Sequence, residues 1–115
     1  MAKILVDTDV LVAHLRGERR FDPAGAEIYV STITRVELLS SRVSDNSPLR
    51  QLLAATKEIP LDEAVAERAG SIRKATGVRL GDALIAASAI EHDLMLVTTN
   101  IWAFRGIDGL DATSP

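Results

Sequence analysis

Short segments that are apolar throughout alternate with helical patterns along this chain of 115 residues. A strand with no polar face must be buried on both sides, which is typical of a parallel sheet covered by helices above and below. The predicted strands are residues 3–6, 28–30, 58–61 and 94–98, with a short edge strand at 107–110. The sequence therefore predicts a three-layer α/β/α domain around a central parallel sheet of four to five strands.

Helical periodicity and capping residues predict helices at about residues 10–15, 35–43, 49–55, 62–77 and 83–90. The fourth has the clearest pattern, because Asp62 is a favourable N-cap and Gly77 can end the helix. The fifth is apolar on all sides, which predicts a helix buried against the sheet. Residues 44–48 break the pattern, and residues 111–115 are expected to form a loose tail.

Composition indicates a single domain, residues 1–115, without linkers or repeats. The absence of cysteine excludes disulfides, thiolate zinc sites and cysteine nucleophiles. The chain has neither the pattern of a secretory signal nor a run of roughly 20 apolar residues, so we expect a cytoplasmic protein that does not enter the membrane. Since the net charge is -3, a nucleic-acid partner needs a local basic patch or a bound metal.

Acidic side chains stand close to the ends of three predicted strands. Asp7 directly follows the first strand, Glu37 lies in the first turn of the helix after the second, and Asp82 opens the helix that leads into the fourth. Ligands of parallel sheets bind beyond the carboxyl ends of the strands, so these carboxylates are expected to share one cleft. Because they would repel one another there, a divalent cation is indicated, and oxygen ligands favour Mg²⁺ or Mn²⁺ over zinc.

Helix capping offers a simpler explanation for some of these acids. Asp9 and Asp82 can serve as N-caps, and Thr34 with Glu37 fits a capping box. Asp7 is not explained in this way, because Asp9 is predicted to be the better cap of the first helix.

Other polar residues of interest are predicted to have structural roles. His14 and His92 have no partner at a metal-binding spacing, and Ser88 is expected to be a packed small residue within an apolar helix.

Three segments in this order, ILVDTDVLV, STITRVELL and GDALIAASAIEHDLMLVTTN, closely resemble the PIN-domain ribonucleases, in particular the VapC toxins of bacterial toxin–antitoxin pairs. The resemblance covers residues 2 to about 110. It implies that Asp7, Glu37 and Asp82 bind the catalytic metal. It also implies hydrolysis of RNA to a 5'-phosphate and a 3'-hydroxyl, with structured RNA such as tRNA as the usual target.

The resemblance also implies roles for residues around the metal ligands. Thr98 and Asn100 match a T-x-N/D segment and are expected to contact water or substrate at the metal. The residues expected to support the ligands from outside are Thr8, Asp9, Thr34 and Thr98. Many members carry a further acid immediately before the phenylalanine of the last motif, where this chain has Ala103, which leaves the binding of a second metal open.

RNA binding needs cations beyond the metal, and a VapC-like toxin implies protein partners. The candidate phosphate contacts are Arg16, Arg19, Arg20 and Arg79, although an ordinary solvated surface explains them equally well. The expected partners are RNA, a small antitoxin that blocks the acidic cleft, and a second copy of the chain. The few aromatic residues argue against a base-stacking platform and are predicted to lie in the core or an interface; they are Phe21, Tyr29, Trp102 and Phe104.

Two other function classes remain open from the residues. The D-x-D start also fits haloacid-dehalogenase-like phosphohydrolases, but these need a later lysine and a second acidic pair, and Lys57 and Lys74 are poorly placed; a receiver domain fails similarly. With Ala103 in place of an acid, the domain could also be a catalytically impaired binding or dimerisation module.

Overall fold

A computed structural model describes residues 2–41 and 46–115, and it contains a five-stranded parallel sheet with helices on both faces. The strands are β1 (Lys3–Val6), β2 (Glu27–Ser31), β3 (Lys57–Ile59), β4 (Met95–Val97) and β5 (Ala112–Thr113). The helices are α1 (Thr8–Leu15), α2 (Thr32–Ser40), α3 (Asn46–Ala55), α4 (Glu63–Thr76) and α5 (Leu80–Glu91), with a 3₁₀ helix at Ile101–Phe104. The predicted fold class is confirmed.

Strand order in the sheet is β3-β2-β1-β4-β5, with every neighbouring pair parallel. The chain leaves β1 towards β2 and β3 and then returns to the other side of β1 to form β4. Strand β1 is therefore at the topological switch point, where the loops after neighbouring strands diverge and leave a crevice. Residues that follow β1, β2 and β4 meet at this edge.

Side chains of β1 alternate between two apolar cores, one on each face of the sheet. Leu5 packs in the core formed with α4 and α5, while Val6 packs in the core formed with α1, α2 and α3. Both residues are fully buried. Burial on both faces explains why the strand sequences carry no polar alternation.

The edge strand predicted at residues 107–110 is wrong. Gly106 and Gly109 have φ values of 79° and 81°, which interrupt an extended backbone on either side of the buried Ile107. The edge strand is β5 instead, in the segment expected to be loose, and the Thr98 amide donates to the Thr113 carbonyl at 3.0 Å.

Capping of α4 by Asp62 is confirmed, because its Oδ1 accepts from the Val65 amide at 3.0 Å, and the left-handed Gly77 ends the helix. The other helix starts differ from the prediction. Helix α2 begins at Thr32 with Ser31 as its N-cap, so Thr34 and Glu37 do not form a capping box.

Helix α5 begins earlier than predicted, with Arg79 at its N-cap position, so Asp82 lies in the first turn and is not the cap. Residues 46–48 belong to α3 although a break was predicted there. The predicted end of the second helix at residue 43 and the break at 44–45 lie outside the described residues. In the described ranges, we find no helix both long and apolar enough to cross a membrane.

Ser88 and His14 have the structural roles predicted for them. The buried Ser88 hydroxyl donates to the Leu84 carbonyl at 2.8 Å, and His14 Nδ1 accepts from the Phe21 amide at 3.1 Å. Among the aromatic residues, Phe104 is buried as predicted. Trp102 is 73% exposed and does not lie in the core, so the other predicted location, an interface, stays a prediction.

Candidate metal centre

Four carboxylate side chains line one polar cavity of about 150 Å³ at the carboxyl edge of the sheet. They come from the start of α1, the second turn of α2 and the first turn of α5, and are Asp7, Asp9, Glu37 and Asp82; the other lining residues are Thr8, Arg79, Gly81 and Ile85. The prediction that Glu37 lies in the first turn of its helix is wrong, because α2 begins at Thr32. The structure thus brings together the three acids predicted to share a cleft. Sequence reasoning missed Gly81 and Ile85, although their positions one residue before and three residues after Asp82 on α5 could have indicated them.

Asp7 is the most buried of these acids, with 4% of the residue exposed. Its backbone amide donates to the Val97 carbonyl of β4 at 2.9 Å, which fixes the residue at the edge between β1 and β4. Its Oδ1 accepts from the Thr8 amide at 2.8 Å and its Oδ2 from the Thr98 hydroxyl at 2.7 Å. Because each carboxylate oxygen has further lone pairs, both remain able to ligate an ion.

The prediction that Asp9 caps α1 is wrong. Asp7 is the N-cap, because α1 begins at Thr8, immediately after the extended residue that ends β1. Asp9 lies instead in the first turn of α1, exposed at the wall of the cavity.

Burial raises the pKa of Asp7 to about 6. The hydrogen bonds from Thr98 and Thr8 favour the ionised form and oppose this rise, whereas the negative charges of Asp9 and Asp82 add to it. Burial also raises the pKa of Asp82, with Arg79 opposing and Asp9 adding to the effect. The cavity therefore concentrates negative charge beyond what its protein surroundings compensate.

A pair of threonines holds Glu37 in place. The Thr8 hydroxyl lies 2.7 Å from Glu37 Oε1 and 2.9 Å from the hydroxyl of the fully buried Thr34. On the other side, a Cβ added to Gly81 would lie 3.6 Å from Glu37 Oε2, so α5 approaches this carboxylate closely. Thr8 and Thr34 thus connect the starts of α1 and α2 at the cavity.

The donor set fits a hard divalent cation, because it consists of carboxylate oxygens with threonine hydroxyls behind them. Within residues 2–41 and 46–115, no three carboxylate or imidazole groups come close enough together to hold an ion in this conformation. The four acids line the cavity wall, so ligation would require them to move closer together.

Asp7, Thr98 and Asn100 are joined by two consecutive hydrogen bonds. Thr98 is fully buried, and its hydroxyl oxygen also accepts from the Asn100 backbone amide at 3.0 Å. Asn100 itself is exposed and does not line the acidic cavity. The structure therefore places Thr98 against a candidate ligand, whereas the hydrogen bonds of Asn100 within the described residues come from its backbone.

Only one of the four candidate arginines lies at the acidic cavity. Arg79 lines it, whereas Arg19 and Arg20 line a separate small pocket and Arg19 donates to the Pro115 carbonyl at 3.4 Å. Arg16 faces Glu18 at 3.8 Å on the surface.

Comparison with known proteins gives concordant results. The PIN-domain family model matches residues 4–110. The ribonuclease VapC10 of Mycobacterium tuberculosis is 37% identical over an alignment 117 positions long, which covers 88% of this chain and 85% of the relative. The ribonuclease VapC19 of the same organism is 34% identical, with 87% of this chain and 90% of the relative covered.

Solved structures show the same fold. A chain of VapBC2 from Rickettsia felis, bound to a DNA fragment from its promoter, matches with a TM-score of 0.82 at 22% identity over 98% of both chains. A chain of a toxin–antitoxin complex from Klebsiella pneumoniae matches with a TM-score of 0.77 at 29% identity, covering 93% of this chain and 94% of that one. The resemblance seen in the sequence motifs is thereby confirmed, and this chain belongs to the PIN-domain family, among the relatives of the VapC ribonucleases.

Proposed function

We propose that this protein is a metal-dependent endoribonuclease of the VapC type, which hydrolyses phosphodiester bonds of structured RNA such as tRNA and is inhibited by a cognate antitoxin. The observation that carries the proposal is the cavity lined by four carboxylates in a chain of this family. Family membership leaves no basis for the haloacid-dehalogenase-like alternative. An RNA substrate also makes the cytoplasm the place of action.

Asp7, Glu37 and Asp82 are the proposed ligands of Mg²⁺ or Mn²⁺. Such an ion, when bound, makes water nucleophilic at neutral pH and offsets charge on the phosphodiester. Thr98 holds Asp7 through its hydroxyl, and Thr8 with Thr34 holds Glu37. Because Asp7 must be ionised to ligate, its pKa of about 6 predicts that metal affinity falls as the pH drops through this value.

Asp9 supplies the fourth carboxylate in this proposal. Ala103, at the position where many members have a further acid, is a partly buried residue packed against the core. Asp9 lines the acidic cavity from the first turn of α1, whereas Ala103 does not line it. In this proposal Asp9 and Asp7 would hold a second ion when one binds.

The proposed protein partners are a VapB-like antitoxin and a second copy of the chain. The acidic cavity offers a docking site for a basic antitoxin side chain, and the Klebsiella pneumoniae structure is itself a toxin–antitoxin complex. Beside Glu37 on α2, the exposed Val36 and Leu39 provide apolar surface for such an interface.

Metal removal tests the proposed reaction. We expect the purified protein to cleave total RNA in Mg²⁺ or Mn²⁺, to lose this activity with excess EDTA, and to regain it when Mg²⁺ is restored, as followed on denaturing gels. Cleavage that persists in EDTA would contradict a metal-dependent mechanism. A folded protein that remains inert in both ions would instead favour the catalytically impaired binding module.

Removal of the Thr8 hydroxyl tests how Glu37 is held. Thr8→Val keeps the shape of the side chain but deletes the group at 2.7 Å from Glu37 Oε1. Since loss of a residue that orients a ligand typically costs about 10- to 100-fold in metal affinity, we expect a decrease of this size for Mn²⁺ in calorimetric titrations. Thr8→Ser keeps the hydroxyl and is expected to bind almost as well as the wild type. Equal affinities in all three proteins would show that Thr8 does not position Glu37.

A further inference from the structure

The single tryptophan of the chain is exposed to solvent, although large aromatic side chains are usually buried. Trp102 is 73% exposed on the 3₁₀ helix Ile101–Phe104, whereas Phe104 on the same turn is buried. An indole in water forgoes a large favourable burial energy. Its exposure is therefore a feature for which the fold itself gives no reason.

One face of the indole is covered by a cation. The Arg105 guanidinium carbon lies 3.8 Å from the centre of the ring. Throughout the described residues, no carboxylate forms an ion pair with Arg105. Because so much of Trp102 is still exposed with this cation in place, the opposite face of the ring is free, and the pair presents an aromatic surface beside an uncompensated positive charge.

The hydrogen-bonded chain that supports Asp7 leads directly to this pair. Thr98 donates to Asp7, Thr98 accepts from the Asn100 amide, and the Ala103 amide donates to the Asn100 carbonyl at 3.1 Å. The backbone from Thr98 to Trp102 can span at most roughly 14 Å. Stacked nucleotides of one strand rise about 3.4 Å each, so this span corresponds to about four nucleotides.

We propose that Trp102, with Arg105 behind it, stacks on an unpaired base of the RNA substrate close to the phosphodiester that is cleaved. The inference rests on the proposed ribonuclease function. An exposed aromatic face combined with a cation that can reach the backbone phosphates is the arrangement by which proteins hold single-stranded nucleic acid. A protein partner would have to bring its own carboxylate to compensate the Arg105 charge, whereas RNA brings a phosphate with every nucleotide.

Fluorescence of the wild-type tryptophan tests this contact without altering it. In the Asp82→Asn protein, which is not expected to cut, we expect saturable quenching of Trp102 by 12-nucleotide single-stranded oligo(U) and oligo(A). Duplex RNA of the same length and heparin should quench much less, because neither offers an unpaired base. Equal quenching by heparin, or binding of single-stranded RNA seen by anisotropy of a labelled oligonucleotide without quenching, would overturn the inference.

Cleavage kinetics then separate this inference from the proposed function. We expect Trp102→Ala to raise KM for RNA about tenfold with little change in kcat, since stacking of one base contributes a factor of about five or more, and Trp102→Phe to recover most of the loss. Met95→Ala removes an exposed apolar residue at the opposite end of β4 and serves as the matched control.

Two outcomes distinguish failure of the stacking contact from failure of the proposed function. If the wild type cuts RNA and Trp102→Ala has the same KM, the stacking contact is refuted and the proposed function is not. If the wild type does not cut RNA in Mg²⁺ or Mn²⁺, the proposed function itself is refuted. Loss of self-association in Trp102→Ala, with KM unchanged, would assign the residue to a protein interface instead.

Discussion

Asp82→Asn is expected to lower RNA cleavage at least about 100-fold while leaving the protein folded. The substitution keeps the shape of the side chain but removes a charge from the cavity, and an amide is a poorer ligand than a carboxylate for a hard cation. Asp82 is not the N-cap of α5, so the change deletes no capping interaction. Because burial raises the pKa of Asp82 in spite of the attraction of Arg79, loss of this charge should not destabilise the folded state.

A matched control is available just beyond the same helix. Asp93 lies two residues after the end of α5, on the side opposite to Asp82, and its φ of 53° is a conformation that asparagine adopts readily. Initial cleavage rates on total RNA in Mg²⁺, together with thermal unfolding curves, should separate Asp82→Asn from the wild type and from Asp93→Asn. Wild-type rates in Asp82→Asn would show that this carboxylate does not hold the catalytic metal.

The sheet and the convergence of the acids were predictable because they depend on patterns that extend over the whole chain. Apolar strands alternating with helices require a parallel sheet, and a parallel sheet brings the residues after its strands to one edge. Asp7, Glu37 and Asp82 follow from this rule without any knowledge of strand order. The distances between these carboxylates and their hydrogen-bond partners do not follow from the rule.

Helix starts were predicted less well, because a shift of two or three residues decides which side chain is the cap. Asp7 and Asp9 are equally suitable as N-caps, and the choice depends on where the backbone of β1 ceases to be extended. The contacts of Thr8 with Thr34 and Glu37 join residues 26 and 29 positions apart, and no local pattern reports such a contact. Trp102 illustrates the same limit, because the sequence left both the core and an interface open for it and no local pattern decides between them.

Asp7→Asn is expected to stabilise the metal-free protein at neutral pH, although the same change should remove metal binding. The pKa of Asp7 is about 6 in the folded protein and 3.8 as the unperturbed reference. Between these values the folded state holds a proton that the unfolded chain has lost, so stability decreases as the pH rises through this range. Above pH 6 the full penalty applies, and it amounts to about 3 kcal/mol.

The asparagine can keep one hydrogen bond of the native side chain and reverse the direction of the other. Its Oδ1 can accept from the Thr8 amide, and asparagine caps helices as well as aspartate does. Its amide group can donate to the Thr98 hydroxyl oxygen, which has a lone pair left after accepting from Asn100. The substitution therefore removes the buried charge, and part of the gain is offset because the proton of the buried Thr98 hydroxyl loses its acceptor.

Urea unfolding of the metal-free proteins at a series of pH values measures this effect. At pH 7, Asp7→Asn should have the larger free energy of unfolding by up to about 3 kcal/mol, and the difference should shrink towards zero near pH 4. The exposed Asp108 provides the control, since Asp108→Asn is expected to change stability by no more than about 0.5 kcal/mol at either pH. Saturating Mn²⁺ should reverse the order, because the ion stabilises only the protein that binds it. If Asp7→Asn is less stable than the wild type at pH 7 without metal, the fold already compensates the buried charge of Asp7. The electrostatic argument for a cation in this cavity would then be wrong.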